Sequence, residues 1–196
     1  GGMYSLKAYT AIERIDEISN SQAYVFYTVR SPLYSDANNR VGSYWTSEGM
    51  PKQGDSLDPT DEEQQFALLR TNKTEEGKYY LYSIKSGKFI VNDNQASDTP
   101  EADITLNPVQ HASANCFEMS FAGAKVNVTW WNNSAAGIRL NSGADTDEGN
   151  AFRIFLAEDE PNLSDVLATI ETYELQALNN AMAQAEAKVS HVGTAI

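Results

Sequence analysis

The sequence predicts an all-β fold, a pseudo-threefold barrel of short antiparallel strands, with a C-terminal α-helix. Short runs rich in Val, Ile, Tyr, Phe and Thr alternate with Gly, Asn, Asp, Ser and Pro through the middle of the chain, as strands alternate with turns. A segment that closes with a Phe and an alternating strand recurs three times. After residue 160 the apolar residues follow helical spacing. We therefore expect one β domain followed by one helix.

The predicted domain organisation has three parts. Residues 1–20 form a lead-in segment, residues 21–160 form the β domain, and residues 161–196 form a C-terminal helix and tail. A chain of 196 residues suits one domain with an appendage, because single domains usually span about 100–200 residues. Isoleucines recur at intervals of three in the lead-in, which predicts one helical turn before the first strand.

Eight runs in the β domain are predicted to be strands, because they are short, rich in β-branched and aromatic residues, and bounded by turn residues. In chain order they are Tyr24–Arg30, Phe66–Arg70, Tyr79–Ile84, Phe89–Val91, Phe117–Phe121, Lys125–Trp131, Ile138–Leu140 and Phe152–Leu156. The clearest turn signal is Ser86-Gly87 between the third and fourth runs, since Gly supplies the positive φ that a tight hairpin requires.

The internal repeat consists of three units that open and close with similar segments. The opening segments are Ala23–Tyr27, Lys78–Tyr82 and Ala124–Val128. The closing segments are Gln64–Leu69, Asn115–Ser120 and Asn150–Phe155, each with a central Phe. Three such units closing on one another remove exposed strand edges, which predicts a pseudo-threefold barrel. An ordinary β-sandwich with similar strand ends is the alternative.

The C-terminal helix is predicted from its caps and its apolar spacing. Asn162 or Ser164 can cap the first turn, and Asp165 and Lys188 suit the two ends of the helix dipole. The apolar residues of the first turns are Leu163, Val166, Leu167, Ile170 and Tyr173. From Glu174 onward the sequence keeps a high helix propensity but has a thinner apolar stripe. We expect this second part to pack on the β domain or on a neighbouring domain.

The charge of the chain argues against two classes of partner. It carries 27 Asp and Glu against 14 Lys and Arg, a formal charge of −13, which repels nucleic-acid phosphates and anionic membrane surfaces. No cluster of Lys and Arg offers the cationic groove that single-strand binding requires. No run of about 18 apolar residues is present. We therefore expect neither nucleic-acid binding nor membrane insertion.

Residues that serve catalysis and metal binding are scarce. The single cysteine, Cys116, leads into an apolar run and is expected to be a buried structural thiol, and only His111 and His191 offer an imidazole base. The chain lacks a Gly-x-Ser-x-Gly elbow, a phosphate-binding glycine loop and a His-Glu-x-x-His helix. Acidic loops at 58–63 and 145–149 lack EF-hand spacing, so solvated turn acids are expected rather than a calcium site. We predict a non-catalytic protein without cofactor or metal.

Three segments resemble β-trefoil domains related to the ricin-type lectins, especially those in secreted proteins of gut Bacteroidetes. They are Ile18–Tyr24, Gly77–Phe89 and Asp147–Phe152, and the resemblance spans Asp16 to Glu158. The resemblance implies a β-trefoil fold and either carbohydrate recognition or the attachment of an enzyme to glycans. Ricin-type lectins typically carry a Gln-x-Trp motif in each repeat, whereas no Gln in this chain is followed two places later by Trp.

A first candidate ligand site combines aromatic, amide and carboxylate side chains. It consists of Trp130, Trp131, Asn132, Asn133, Asp145 and Asp147. Sugar sites pair an aromatic face, which stacks on C–H groups, with Asn or Asp side chains that hydrogen-bond hydroxyls. Adjacent strand residues point to opposite faces, so one of Trp130 and Trp131 is expected in the core. The alternative is that both are structural or belong to an interface.

A second aromatic pair, Tyr44-Trp45, occupies a comparable place in the first unit. It is a second possible platform for a sugar, and the alternative is a strand that covers the end of the barrel. The second unit has Phe89 and the polar run Asn92-Asp93-Asn94 at this place, without a Trp.

The function predicted from these features is a non-catalytic, lectin-like carbohydrate-binding module that binds a glycan or polysaccharide. We expect it in a secreted or cell-surface protein whose signal peptide has been removed, because Gly1-Gly2-Met3 lacks a signal layout and resembles a tag-cleavage remnant. The alternative is a protein-interaction or spacer domain that packs against a neighbouring domain of the same longer protein through its C-terminal helix.

Overall fold

A computed structural model describes residues 9–28, 43–45, 51–53, 57–92, 95–111, 114–131, 134–141 and 150–194 of the chain. These residues form antiparallel strands and one long helix, so the prediction of an all-β fold with a C-terminal helix is confirmed. The strands are β1 (Ala23–Thr28), β2 (Ser43–Trp45), β3 (Pro51–Gln53), β4 (Phe66–Leu69), β5 (Lys78–Ser83), β6 (Lys88–Asn92), β7 (Gln95–Ser97), β8 (Ile104–His111), β9 (Ala114–Phe121), β10 (Ala124–Trp131), β11 (Ser134–Asn141) and β12 (Ala151–Leu156). The helix α1 spans Ser164–Thr194, and short 3-10 helices span Ile15–Glu17 and Glu62–Gln64.

All eight predicted strand runs fall on observed strands, and four further strands were not predicted. The additional ones are β2, β3, β7 and β8. Three of them have only three residues, too few for a periodic pattern. The fourth, β8, has eight residues but contains Pro108, which demotes a run as a strand prediction because proline lacks an N–H. Pro108 nevertheless holds its register opposite Phe117 of β9.

Six strands form one group in which each has two neighbours. β1 pairs with β4 and β12, β5 pairs with β4 and β8, and β9 pairs with β8 and β12. The other six strands form the hairpins β2–β3, β6–β7 and β10–β11. These hairpins continue from β1, β5 and β9, since β2 pairs with β1, β6 with β5, and β10 with β9.

The expectation that Phe66, Phe117 and Phe152 close equivalent segments is wrong for Phe117. Phe66 and Phe152 lie in β4 and β12, each of which pairs with two other strands. Phe117 lies in β9, which pairs with β8, β10 and β12 and so shares the pairing pattern of β1 and β5. The strand that precedes β9 in the chain is β8, which was not predicted from the sequence. The predicted opening at 124–128 therefore lies in β10, a hairpin strand.

The main core lies on one face of these strands. Phe66, Phe117 and Phe152 are all buried in this core, together with Tyr24 and Phe26 of β1. Alternation of side chains along each strand sends Val25 and Tyr27 to the opposite face, where they form a second cluster with Leu57 and Phe155. Cys116 is buried beside Ala151, which confirms the prediction of a buried thiol.

Three local features predicted from the sequence, a hairpin turn, a helical turn and a helix cap, are present in the structure. Gly87 has φ +67° in the loop between β5 and β6, and its N–H donates to the Ser83 carbonyl at 3.0 Å, which confirms the predicted hairpin turn. The helical turn predicted in the lead-in is the 3-10 helix at Ile15–Glu17. Asn162 caps α1 by accepting hydrogen bonds from the Ser164 N–H at 3.1 Å and from the Ser164 hydroxyl at 2.8 Å.

The first turns of α1 cover the outer face of β4 and β6. Leu163 and Ile170 are buried against Ala67 and Leu69, whose neighbours along β4 point into the main core. β4 is therefore buried on both faces, whereas burial alternates along β5. The helix thus lies over the β6–β7 side of the molecule.

Candidate ligand-binding surface

Both predicted aromatic pairs stand at the ends of hairpin strands. Trp130-Trp131 are the last two residues of β10, and Tyr44-Trp45 are the last two of β2. Trp131 pairs with Ser134, the first residue of β11, and Trp45 pairs with Pro51, the first residue of β3. Because these three tryptophans are all that the sequence contains, every Trp of the chain stands at a hairpin end.

The two hairpins that carry these pairs are neighbours. β3 and β11 approach each other, with Cα atoms within 8 Å. In each pair the two aromatic residues are consecutive along a strand. The register of the β10–β11 ladder shifts between Thr129 and Trp130, directly before the Trp pair.

The third hairpin, β6–β7, differs from the other two. Its strand β6 ends at Asn92, which pairs with Gln95, so a polar residue stands where the others have Trp. Phe89 and Val91 of the same strand are buried in the cluster that the C-terminal helix covers. Two hairpins therefore end in aromatic residues, and the helix packs on the third.

The remaining predicted site residues are polar. Asn132 and Asn133 separate the paired ends of β10 and β11, and Asp145 and Asp147 belong to the segment between β11 and β12. These four residues lie outside the described residues, so their place in a site stays a prediction.

The first acidic loop, residues 58–63, uses its carboxylates to order turns. The Oδ1 atom of Asp58 accepts hydrogen bonds from the Thr60 N–H at 2.9 Å and from the Thr60 hydroxyl at 2.7 Å. Asp61 caps the following 3-10 helix by accepting from the Glu63 N–H at 3.0 Å. Within the described part of the chain, no group of three His, Cys, Asp or Glu residues is placed to hold a metal ion. The second acidic loop, at 145–149, lies outside that part.

A polar contact that the sequence did not reveal ties the helix to the β domain. The Thr71 hydroxyl donates to the Glu174 carboxylate, with oxygen–oxygen distances of 2.7 and 3.0 Å, and the Tyr80 hydroxyl lies 3.5 Å from the same group. Burial, followed by the charges of Glu174 and Asp103, raises the pKa of Tyr80 to about 12. These residues lie far apart in the sequence, and no local motif signals their contact.

Two open grooves flank the helix where it crosses the β domain. One, of about 310 Å³, lies between the helix and the loop at Thr99-Pro100, and is lined by Tyr173 and Gln176. The other, of about 300 Å³, lies between the helix and the loop at residues 71–73.

No protein-family model matches this chain, and a comparison with curated proteins finds no match. No helix among the described residues is both long and apolar enough to cross a membrane.

Proposed function

We propose that residues 21–160 form a β-trefoil. Its three units would be β1–β4, β5–β8 and β9–β12. The support is a pairing rule that repeats: the first strand of each unit pairs with the fourth, and the fourth pairs with the first strand of the next unit. Applied three times, the rule returns to its starting strand, so that six strands close on one another and three hairpins are left over. A sandwich of two separate sheets would break this circuit.

On this fold, the function that the geometry supports best is non-catalytic binding of a glycan. The observation that carries the proposal is that all three tryptophans stand at the ends of two neighbouring hairpins, where Trp45 and Trp131 are each the last residue of their strand.

The chemistry of these hairpin ends suits a neutral, hydroxyl-rich ligand. On each hairpin, an aromatic ring of the pair would stack on the C–H face of a sugar, and nearby Asn and Asp side chains would bind hydroxyl groups. Asn132 and Asn133 follow the Trp130-Trp131 pair directly, and Asp145 and Asp147 are the proposed carboxylate partners. The acidic charge of −13 favours neutral or basic sugars over sulfated or phosphorylated ones. Such a module belongs in a secreted or cell-surface protein.

Tryptophan fluorescence tests the proposal directly, because each tryptophan belongs to a proposed site. We expect titration with a bound polysaccharide, first identified on a glycan array or by affinity gel electrophoresis, to shift the emission. Replacing the Trp that stacks on the sugar by Ala, among Trp45→Ala, Trp130→Ala and Trp131→Ala, should weaken binding about tenfold or more, since a stacked aromatic anchor contributes at least about 1.4 kcal/mol.

The matched control is Tyr173→Ala, which removes a half-buried aromatic ring on the helix and should leave glycan affinity unchanged. If the folded protein binds none of the neutral and basic glycans on the array above background, the lectin proposal fails.

A further inference from the structure

The second half of α1 leaves the β domain. The last contact that ties the helix down is the one between Glu174 and Thr71. From residue 175 to residue 190 every side chain is exposed, although the helix continues to Thr194. At 1.5 Å per residue, the 20 residues from 175 to 194 extend about 30 Å. An isolated helix of this length is marginal in water, so a partner along its side would stabilise it.

The exposed half carries an apolar stripe with coiled-coil spacing. Leu175, Leu178, Met182 and Val189 are 52%, 47%, 54% and 72% exposed, and they are the large hydrophobic residues exposed in the described structure. With Ala185 they follow steps of three, four, three and four residues, the a and d positions of a heptad repeat. Residue 192, the next position in this spacing, is also apolar in sequence.

Charge determines which partner can approach this stripe. Beyond residue 174 the only charged residues are Glu186 and Lys188, which cancel, so the whole formal charge of −13 resides in residues 1–174. Two copies that pair side by side in the same direction would bring these acidic bodies together. Two copies that pair in opposite directions over residues 175–192 hold the bodies at opposite ends, about 27 Å of helix apart, well beyond the Debye length of about 8 Å.

Side-chain size favours the same arrangement. The large residues of the stripe precede the small ones, since Leu178 and Met182 lie towards the β domain and Ala185 and Val189 lie towards the end of the helix. An antiparallel pair centred between residues 183 and 184 sets Met182 against Ala185 and Leu178 against Val189, so every layer joins a large residue to a smaller one. A parallel pair would set Ala185 against itself and leave a void in the seam.

We propose that the distal half of α1 mediates association with a second copy of this chain as an antiparallel two-helix coiled coil over residues 175–192. The contact is isologous, because the same stripe serves both copies. Its seam spans about two and a half heptads, less than a stable independent coiled coil usually needs, so the dimer is weak and depends on concentration.

Sedimentation velocity of the full chain over a range of concentrations tests the association. We expect reversible dimerisation that changes little as salt is added above about 0.15 M, because the acidic bodies already lie farther apart than the Debye length of about 8 Å. Leu178→Glu should raise the Kd at least tenfold, since it places two charges in the apolar seam. Asn180→Glu, on the opposite side of the same turn, is the matched control and should change the Kd less than threefold.

Disulfide trapping tests the direction of pairing. Cys116 is buried, so cysteines introduced in the stripe are the accessible ones. Mixing the Leu178→Cys and Val189→Cys proteins should give mainly the mixed disulfide, whereas each alone should cross-link poorly. Preferential cross-linking of Leu178→Cys to itself would overturn the antiparallel arrangement. A monomer at every concentration would overturn the proposal and assign the stripe to another partner, such as a neighbouring domain. Glycan binding is measured independently of both outcomes.

Discussion

The two halves of α1 form one continuous helix, yet only the first half belongs to the folded core. Over residues 164–174 the helix buries Ile170 and packs Val166 and Leu167 on the β domain. Over residues 175–190 every side chain of the helix is exposed. Helix propensity is higher in the second half, which is rich in Ala, Leu and Gln, than in the first half, so propensity does not determine which half docks.

The difference lies in what each half offers to the sheet. The first half presents branched aliphatic residues at a spacing that matches the outer faces of β4 and β6, and Glu174 ends that contact with hydrogen bonds. The second half has a narrower stripe, interrupted by Ala, that suits another helix better than a sheet. Docking thus requires a matching surface as well as an amphipathic pattern.

The largest expected difference between the two halves is in the free energy of unfolding, when one apolar residue is replaced in each half. Ile170→Ala should lower the free energy of unfolding by about 2–4 kcal/mol, because it leaves a cavity between the helix and β4. Leu178→Ala should change it by less than about 0.5 kcal/mol in dilute solution, since Leu178 is already exposed. Chemical denaturation of both variants makes the measurement. Equal losses would show that the distal half also packs on the domain.

The next largest expected difference is the loss of stability when one exposed alanine in each half is replaced by glycine. Ala168→Gly, in the first half, should cost about 1 kcal/mol of global stability, because the helix must form there for the core to form. Ala183→Gly should leave global stability unchanged within about 0.3 kcal/mol, while it speeds amide hydrogen exchange in residues 176–190. If Ala183→Gly lowers global stability as much as Ala168→Gly does, the two halves unfold together and the comparison fails.

The smallest effect concerns the titration of Tyr80. In the folded protein the pKa of Tyr80 is raised to about 12, whereas the pKa of an unperturbed tyrosine is near 10. The stability linked to neutral Tyr80 is therefore complete below pH 10 and is lost as the pH rises from 10 to 12. Glu174→Gln should lower the pKa of Tyr80, because it removes a nearby negative charge, and the distal Glu186→Gln should not.

Absorbance titration of phenolate, with Tyr80→Phe to identify the signal, makes this measurement. A pKa of Tyr80 that is equal in the two glutamine variants would place Glu174 outside the electrostatic environment of Tyr80.

Much of the fold was predictable because its signals are local. Turn residues and β-branched runs identified eight strands, and Gly87 identified a hairpin turn by its conformational freedom. β8 was missed because Pro108 argues against a strand, and only pairing with β9 overrides that argument. Without β8, Phe117 was expected in a strand equivalent to β4 and β12, whereas it lies in β9, which has three partner strands.

The candidate site was predictable only as a set of residue types. The sequence shows that aromatic pairs at 44–45 and 130–131 adjoin polar residues. That both pairs end hairpin strands, and that the two hairpins are neighbours through β3 and β11, depends on pairings between distant segments. The anchor of Thr71 to Glu174 is invisible for the same reason, since 103 positions separate them.

Local sequence signals were sufficient to predict eight of the twelve strands, a tight turn, a buried thiol and a capped helix. These follow from backbone preferences and from periodicity over a few residues. Which strands pair, which hairpin lies under the helix and where the helix leaves the domain depended on packing between distant parts of the chain. Those outcomes depend on how surfaces from distant parts of the chain fit together, and a surface exists only after the chain has folded.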